Sequence, residues 1–273
     1  MKKILLLCFL VYVGETSTGI SQTVQLRYDT TSAQVNYAAK IQQQSLSDKG
    51  YATGEVKADY SIHLTVNPQK LEPEAYEIRR ENKNINLTGG DGRGVIYGAL
   101  SLAEDLENGV TLENLKEKRE ATALHFRAIK FDLPWDTYRH SYALTQHQET
   151  CRDLEFWKAF LDMMAKNRFN TLTLWNLHPY TFLIKPHNFP EASPWTEQEM
   201  KEWKTLFHGI FHLAKERGID IYIMPFNIFV TPEFARAYNV AMNNLDHHHF
   251  VPGRRNGRHD PPATGELDTG YYN

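Results

Sequence analysis

Residues Asp153–Asn176 read DLEFWKAFLDMMAKNRFNTLTLWN. From Asp153 to Asn167, the residues Phe156, Phe160, Met163, Met164 and Asn167 step along one side at helical spacing, and Thr171–Trp175 then makes a short strand-like run. A helix passing straight into a strand is one βα unit, and similar units lie on either side of it. Ala128–Leu133 is an apolar-rich run fit for a preceding strand. Downstream, Thr196 and Glu199 form a capping box that opens a helix carrying Trp203, Leu206, Phe207, Ile210, Phe211 and Ala214 on one face. Gly218 suits the C′ stop of that helix, and Ile219–Met224 is a third strand. Strand starts near 128, 171 and 219 lie 43 and 48 residues apart, each pair crossed by one helix, which predicts a parallel array.

The residues before this array predict a smaller α/β module from Val24 to about Asn108. Val24, Leu26 and Tyr28 alternate as a strand, and Ser32–Ser47 is a helix with Val35, Ala38, Ala39 and Ile41 on one face. Tyr60, Ile62, Leu64 and Val66 alternate with polar residues as a half-buried strand that Pro68 stops. Ala75–Arg80 and Asn84–Thr88 flank Glu81-Asn82-Lys83 as a hairpin, followed by the glycine-rich stretch Gly89–Gly94 and a helical run from Val95 to Leu106. Helix N-terminal amides favour anions, so such a turn could cradle a phosphate. It lacks the Lys-Ser/Thr of a P-loop and comes after a hairpin strand, so a tight turn that docks the helix back on the sheet is the preferred reading. The charged run Lys116–Glu120 reads as a connection to the array.

Composition excludes several classes. With 41% hydrophobic and 23% charged residues the chain is an ordinary globular one, neither disordered nor fibrous. A net charge of −3 gives no basic footprint for nucleic acid, so no nucleic-acid partner is expected. Cys8 and Cys151 make no disulfide framework. Met1-Lys2-Lys3 followed by the apolar run Ile4–Val13 reads as a secretory signal cut near Gln22, too short to span a bilayer. Export to a periplasmic or secreted location is therefore expected, with no membrane partner once the signal is removed.

Taken together, the Glu74–Ile78 segment, the run Gly89–Leu100, the run Phe126–Asp132 and the run Asp162–Leu172 resemble the β-hexosaminidase-like glycoside hydrolases and, more loosely, the α-glucuronidases. That resemblance covers about residues 24–240. It implies a small N-terminal α/β sandwich module followed by the first part of a (β/α)8 TIM barrel, with the active site on loops at the strand C-termini. The expected domains are a signal peptide at 1–21, the non-catalytic module at 22–120, three barrel units at 121–250 and an irregular tail at 251–273. The implied partner is a carbohydrate substrate, and no cofactor is expected. Candidate substrate-binding residues are Arg127, Trp135, Asp136, Arg139, Asn176, His178 and Asn227. Arg127 matches an arginine that in hexosaminidases bonds sugar hydroxyls, although it stands before its strand and not at the C-terminal end. Trp135, in a loop after proline, suits a sugar-stacking platform, whereas Trp175 at a strand end suits the core. His178 suits either a substrate donor or a structural histidine.

Departures from the resemblance bear on specificity. Where hexosaminidases continue from the second strand into a histidine-rich Asp-Asp segment, this chain has Thr173–Tyr180, which removes the ground for N-acetylhexosamine specificity. Arg127, Arg139 and His178 could instead suit a uronic acid, because arginine pairs bidentately with carboxylates. A glycosidase needs two carboxyls about the scissile bond, or one plus a substrate group. The resemblance puts that acid pair after a fourth strand, so no catalytic residue is assigned here. The expectation is a chain cut short after the third barrel strand, with a frameshifted tail near Pro252, acting either as part of a glycosidase or as a non-catalytic glycan-binding remnant. His247-His248-His249 lacks the spacing of a closed metal site, and no metal is expected.

Overall fold

The computed structural model describes residues 22–54, 58–136, 142–225 and 231–239. The expected signal at 1–21, Arg139, Asn227, the histidine run and the 251–273 tail lie outside them. Two sheets organise the rest. The first has six strands in the order β2-β1-β3-β5-β4-β6, with β1 at Thr23–Tyr28, β2 at Ala52–Thr53, β3 at Tyr60–Val66, β4 at Tyr76–Glu81, β5 at Asn84–Gly89 and β6 at Lys118–Glu120. β1, β3 and β5 run parallel, and β4 is antiparallel to β5 as the hairpin reading predicts. Neither β2 nor β6 is predicted by the sequence pattern. β6 lies inside the charged run taken for a connection, and it pairs with β4 through its main chain while Lys118 meets Asp105 at 2.6 Å. An edge strand needs no apolar alternation, so periodicity does not reveal it.

Helices α1 (Ala33–Asp48) and α2 (Gly92–Glu107) cover one face of this sheet. Ser32 caps α1 by accepting from the Val35 amide, and Gln42, wholly buried, donates through Nε2 to the Ala99 carbonyl at 2.6 Å, sewing α1 to α2. The glycine-rich stretch is a tight turn, as preferred from the sequence. Asp91 caps α2 by accepting from the Gly94 amide at 2.8 Å, and a Cβ on Gly90 or Gly94 would collide with the carbonyl of Glu72 or Ala75. The glycines are there because backbone passes against backbone.

The second sheet is parallel, β7-β8-β9, with β7 at Ala128–Asp132, β8 at Thr171–Asn176 and β9 at Asp220–Pro225. α4 (Leu154–Lys166) and α5 (Glu197–Glu216) supply the core packed on it, while the short α3 (Tyr142–Gln146) and α6 (Pro232–Ala237) belong to connections. α5 has the capping box read from sequence, and Gly218 has a left-handed φ of 67°. On α4 the register departs from expectation. Trp157, Leu161, Met164 and Ala165 are buried, whereas Met163 and Asn167 are exposed. Trp157, absent from the expected stripe, is anchored by its indole N–H on the Cys151 carbonyl at 2.8 Å. No helix among the described residues is long and apolar enough to cross a membrane.

Candidate functional site

Arg127 and His178 stand at opposite ends of the parallel sheet. Arg127 precedes β7 at the amino end. Its Nε donates to the Arg168 carbonyl at 2.6 Å, Nη1 to the Leu124 carbonyl, and Nη2 to the Tyr97 hydroxyl and the Glu74 carboxylate, both at 2.9 Å. Glu74, buried and at a left-handed φ of 65°, also takes the Asn170 amide at 2.8 Å and the Thr122 hydroxyl at 3.0 Å, with Arg93 at 3.6 Å. Burial alone pushes the Glu74 carboxyl up, but the Asn170, Arg127 and Thr122 hydrogen bonds outweigh it and hold it below the ordinary range. Arg93 continues the network to Asp220 and the Gly218 carbonyl, both at 2.5 Å. Arg127 is thus a strut between the first module and the parallel sheet, at the end opposite the strand carboxyl termini. Arg127 and His178, grouped with Arg139 for a uronic acid, therefore lie apart.

At the carboxyl ends, the turns after β7 and β8 are tied together. Asp136 has a left-handed φ of 51°, a conformation aspartate tolerates. Its Oδ2 accepts from the His178 amide at 2.6 Å, both carboxylate oxygens face His178 Nδ1 at 3.0 and 3.1 Å, and its carbonyl accepts from the Leu177 amide at 2.8 Å. A carboxylate on Nδ1 fixes the proton there and sets the ring's orientation. A cavity of about 210 Å³ opens beside this pair, lined among others by Trp135, Trp195, Thr231 and Glu233.

The remaining predicted residues divide. Trp135 lines that cavity but is only 6% exposed, with Trp203 at 4.9 Å and Phe182 at 6.4 Å between ring centroids, so it offers no open stacking face. Trp175 departs from its expected core position. Half-buried, it carries the Lys130 ammonium 4.5 Å over its ring and donates from its indole to Thr173 at 2.9 Å. Asn176, at the end of β8, is fully buried with both amide atoms lacking a hydrogen-bond partner, and the Trp135, Trp195 and Ser193 donors lack one as well. Groups of this kind each cost about 1–3 kcal/mol, so they mark an end of the sheet not built for stability. Sequence reasoning missed Trp195, Thr231 and Glu233. Trp195 offered the signal used for Trp135, an aromatic after a proline in a loop on this face.

A mixed α/β module thus precedes three parallel strands with their helices, and a cavity lies at the carboxyl ends of those strands. Residues 11–118 match the family model "Glycosyl hydrolase family 20, domain 2". Among solved structures, a GH138 enzyme targeting pectin rhamnogalacturonan II is 27% identical with a TM-score of 0.71, the match covering 81% of this chain and 34% of that one. The GH20 exo-β-N-acetylglucosaminidase from Vibrio harveyi, solved with N-acetylglucosamine, shares the fold at 12% identity and a TM-score of 0.52, over 85% of this chain and 39% of that one. The chain thus spans little more than a third of the length of these two structures. No curated protein matches it.

Proposed function

We propose that the chain acts in glycan breakdown, as the part of an exported glycoside hydrolase that grips a pectin-type glycan, with a (β/α)8 barrel as the complete catalytic unit. The observation that carries the reading is the 27% identity and TM-score of 0.71 to an enzyme targeting pectin rhamnogalacturonan II, across 81% of the chain. The Asp136–His178 pair and its cavity supply the place, since ligands of open α/β sheets bind outside the strand carboxyl ends. The pair orients hydrogen-bonding groups toward a sugar, and the buried Trp135 and Trp195 indole donors border the same space. Hydrolysis requires an acid pair flanking the bond. We assign none to this chain, and the role given to it is binding and positioning.

Retardation of the purified full chain in native gels containing rhamnogalacturonan II tests the reading. Clear retardation is expected, without release of reducing sugar; migration identical to that in a plain gel would sink the proposal. Export rests on Met1-Lys2-Lys3 and the Ile4–Val13 run. Amino-terminal sequencing of the chain recovered from the periplasm or medium is expected to begin near Gln22, and recovery in the cytoplasm with Met1 intact would refute export.

A further inference from the structure

On the outer side of the cavity, α6 packs on the 3-10 turn Pro190–Ala192. Three rings meet there. Phe234 and Tyr238 lie 4.6 Å apart between centroids, Phe189 and Tyr238 5.5 Å, and Phe189 and Phe234 5.8 Å. Docking a short helix needs apolar bulk that water does not reach, yet Phe189 is 47% and Tyr238 41% exposed. Leaving large flat rings half in water forgoes hydrophobic stabilisation that a smaller buried side chain would keep. Tyr238 is also held in place, because its hydroxyl donates to the Glu191 carboxylate at 2.9 Å.

These rings are continuous with the cavity. Thr231, Pro232 and Glu233 line it, and Phe234 and Tyr238 come next on the same segment. The Thr231 hydroxyl donates to the Ala192 carbonyl at 2.9 Å, so cavity wall and rings share one frame. Charge narrows the ligand. Among the described residues, the cations Arg236 and Lys185 are paired with Glu233 and Glu197, each at 2.8 Å, while Asp136 in the cavity wall and Glu191 beneath Tyr238 add acidic groups. A uronate would be repelled there. A neutral pyranose suits it, its C–H face on the rings and its hydroxyls donating to carboxylates.

We infer that Phe189 and Tyr238 form a second sugar subsite, which takes a neutral pyranose adjoining the unit held beside Asp136 and His178. This rests on the reading of the chain as a glycan binder. The test runs the full chain and the variants Phe189→Leu, Tyr238→Leu and Tyr238→Phe through native gels containing rhamnogalacturonan II at low and high salt, with melting temperatures measured alongside. Leucine keeps apolar bulk and removes the ring face. The leucine variants are expected to bind about tenfold more weakly at an unchanged melting temperature, and Tyr238→Phe to stay near wild type. Leucine variants retarded like wild type overturn the subsite and leave the cavity reading standing. Lost binding together with a lowered melting temperature also overturns it, because the rings then only dock α6. Binding abolished by salt refutes the neutral ligand, since a contact without ion pairs is not screened. A wild-type chain that is not retarded overturns subsite and function together.

Discussion

The two ends of the β7-β8-β9 sheet are built on opposite terms. At the amino end every strand start is tied to the first module: β7 through Arg127 and Glu74, β8 through Asn170 and Glu74, and β9 through Asp220 and Arg93. At the carboxyl end the hydrogen-bonded Asp136–His178 pair faces a cavity, and amide, indole and hydroxyl atoms of Asn176, Trp135, Trp195 and Ser193 have no hydrogen-bond partner. One end pairs its polar groups within the chain, and the other leaves several buried polar atoms without a partner. On the proposed reading, stability and recognition divide along the strand axis, since ligands of open α/β sheets bind outside the strand carboxyl ends.

The strongest way to break this contrast is at the amino end. Glu74→Ala removes the buried carboxylate shared by Arg127, Asn170 and Thr122 and leaves the Arg127 charge without its counter-ion, which should destabilise the chain by about 3–5 kcal/mol in urea titration. Its glycan retardation in native gels should be unchanged where the variant is folded. Loss of binding without loss of stability would reverse the assignment of the two ends.

At the carboxyl end the signs should invert. Asn176→Leu is close in volume and removes two unsatisfied amide atoms, so it should raise stability by about 1–2 kcal/mol by the same titration, and a loss of stability would show that the amide is satisfied. Asp136→Asn keeps a residue that tolerates the left-handed backbone and removes the charge that orients His178. It should lower affinity by about tenfold, equivalent to 1.4 kcal/mol, with a smaller effect on stability. An unaltered affinity would remove the pair from the site.

The smallest expected effect is one of pH. The Glu74 carboxyl is held below its ordinary value of 4.5 in the folded chain, so its contribution is fully present above that value. It is lost as pH falls from there through the lowered folded value. Melting curves below pH 5 should fall less steeply for Glu74→Gln than for wild type, and parallel slopes would show that Glu74 carries none of the acid limb.

Much of this fold is written locally. The Thr196–Glu199 box, the Gly218 stop and the alternation of Tyr60–Val66 each concern a few neighbouring residues, and the elements form where those signals stand. The helix Leu154–Lys166 is legible as a helix, but its buried stripe is not, because Phe156 and Phe160 flank the core that Trp157 and Leu161 fill. The site is legible only in part. Asp136 and His178 both stand out as candidates, yet nothing in their spacing says that they pair across 42 residues. Arg127 misleads because the partner that fixes its role, Glu74, lies in the other module, and a buried carboxylate leaves no periodic mark.

The place of Glu74 in the chain also bears on the order of assembly. Its bond to Asn170 spans 96 residues, and everything needed to present the carboxylate, the hairpin and the Asp91-capped turn, precedes the parallel strands. On a ribosome that anchor emerges first. Long-range pairings ordinarily slow folding because closing the loop comes before any gain, and N-terminal units fold ahead of later ones. Here β7 and β8 would dock as they are synthesised onto a template already formed, which shortens the time their bare edges stay open to other nascent chains.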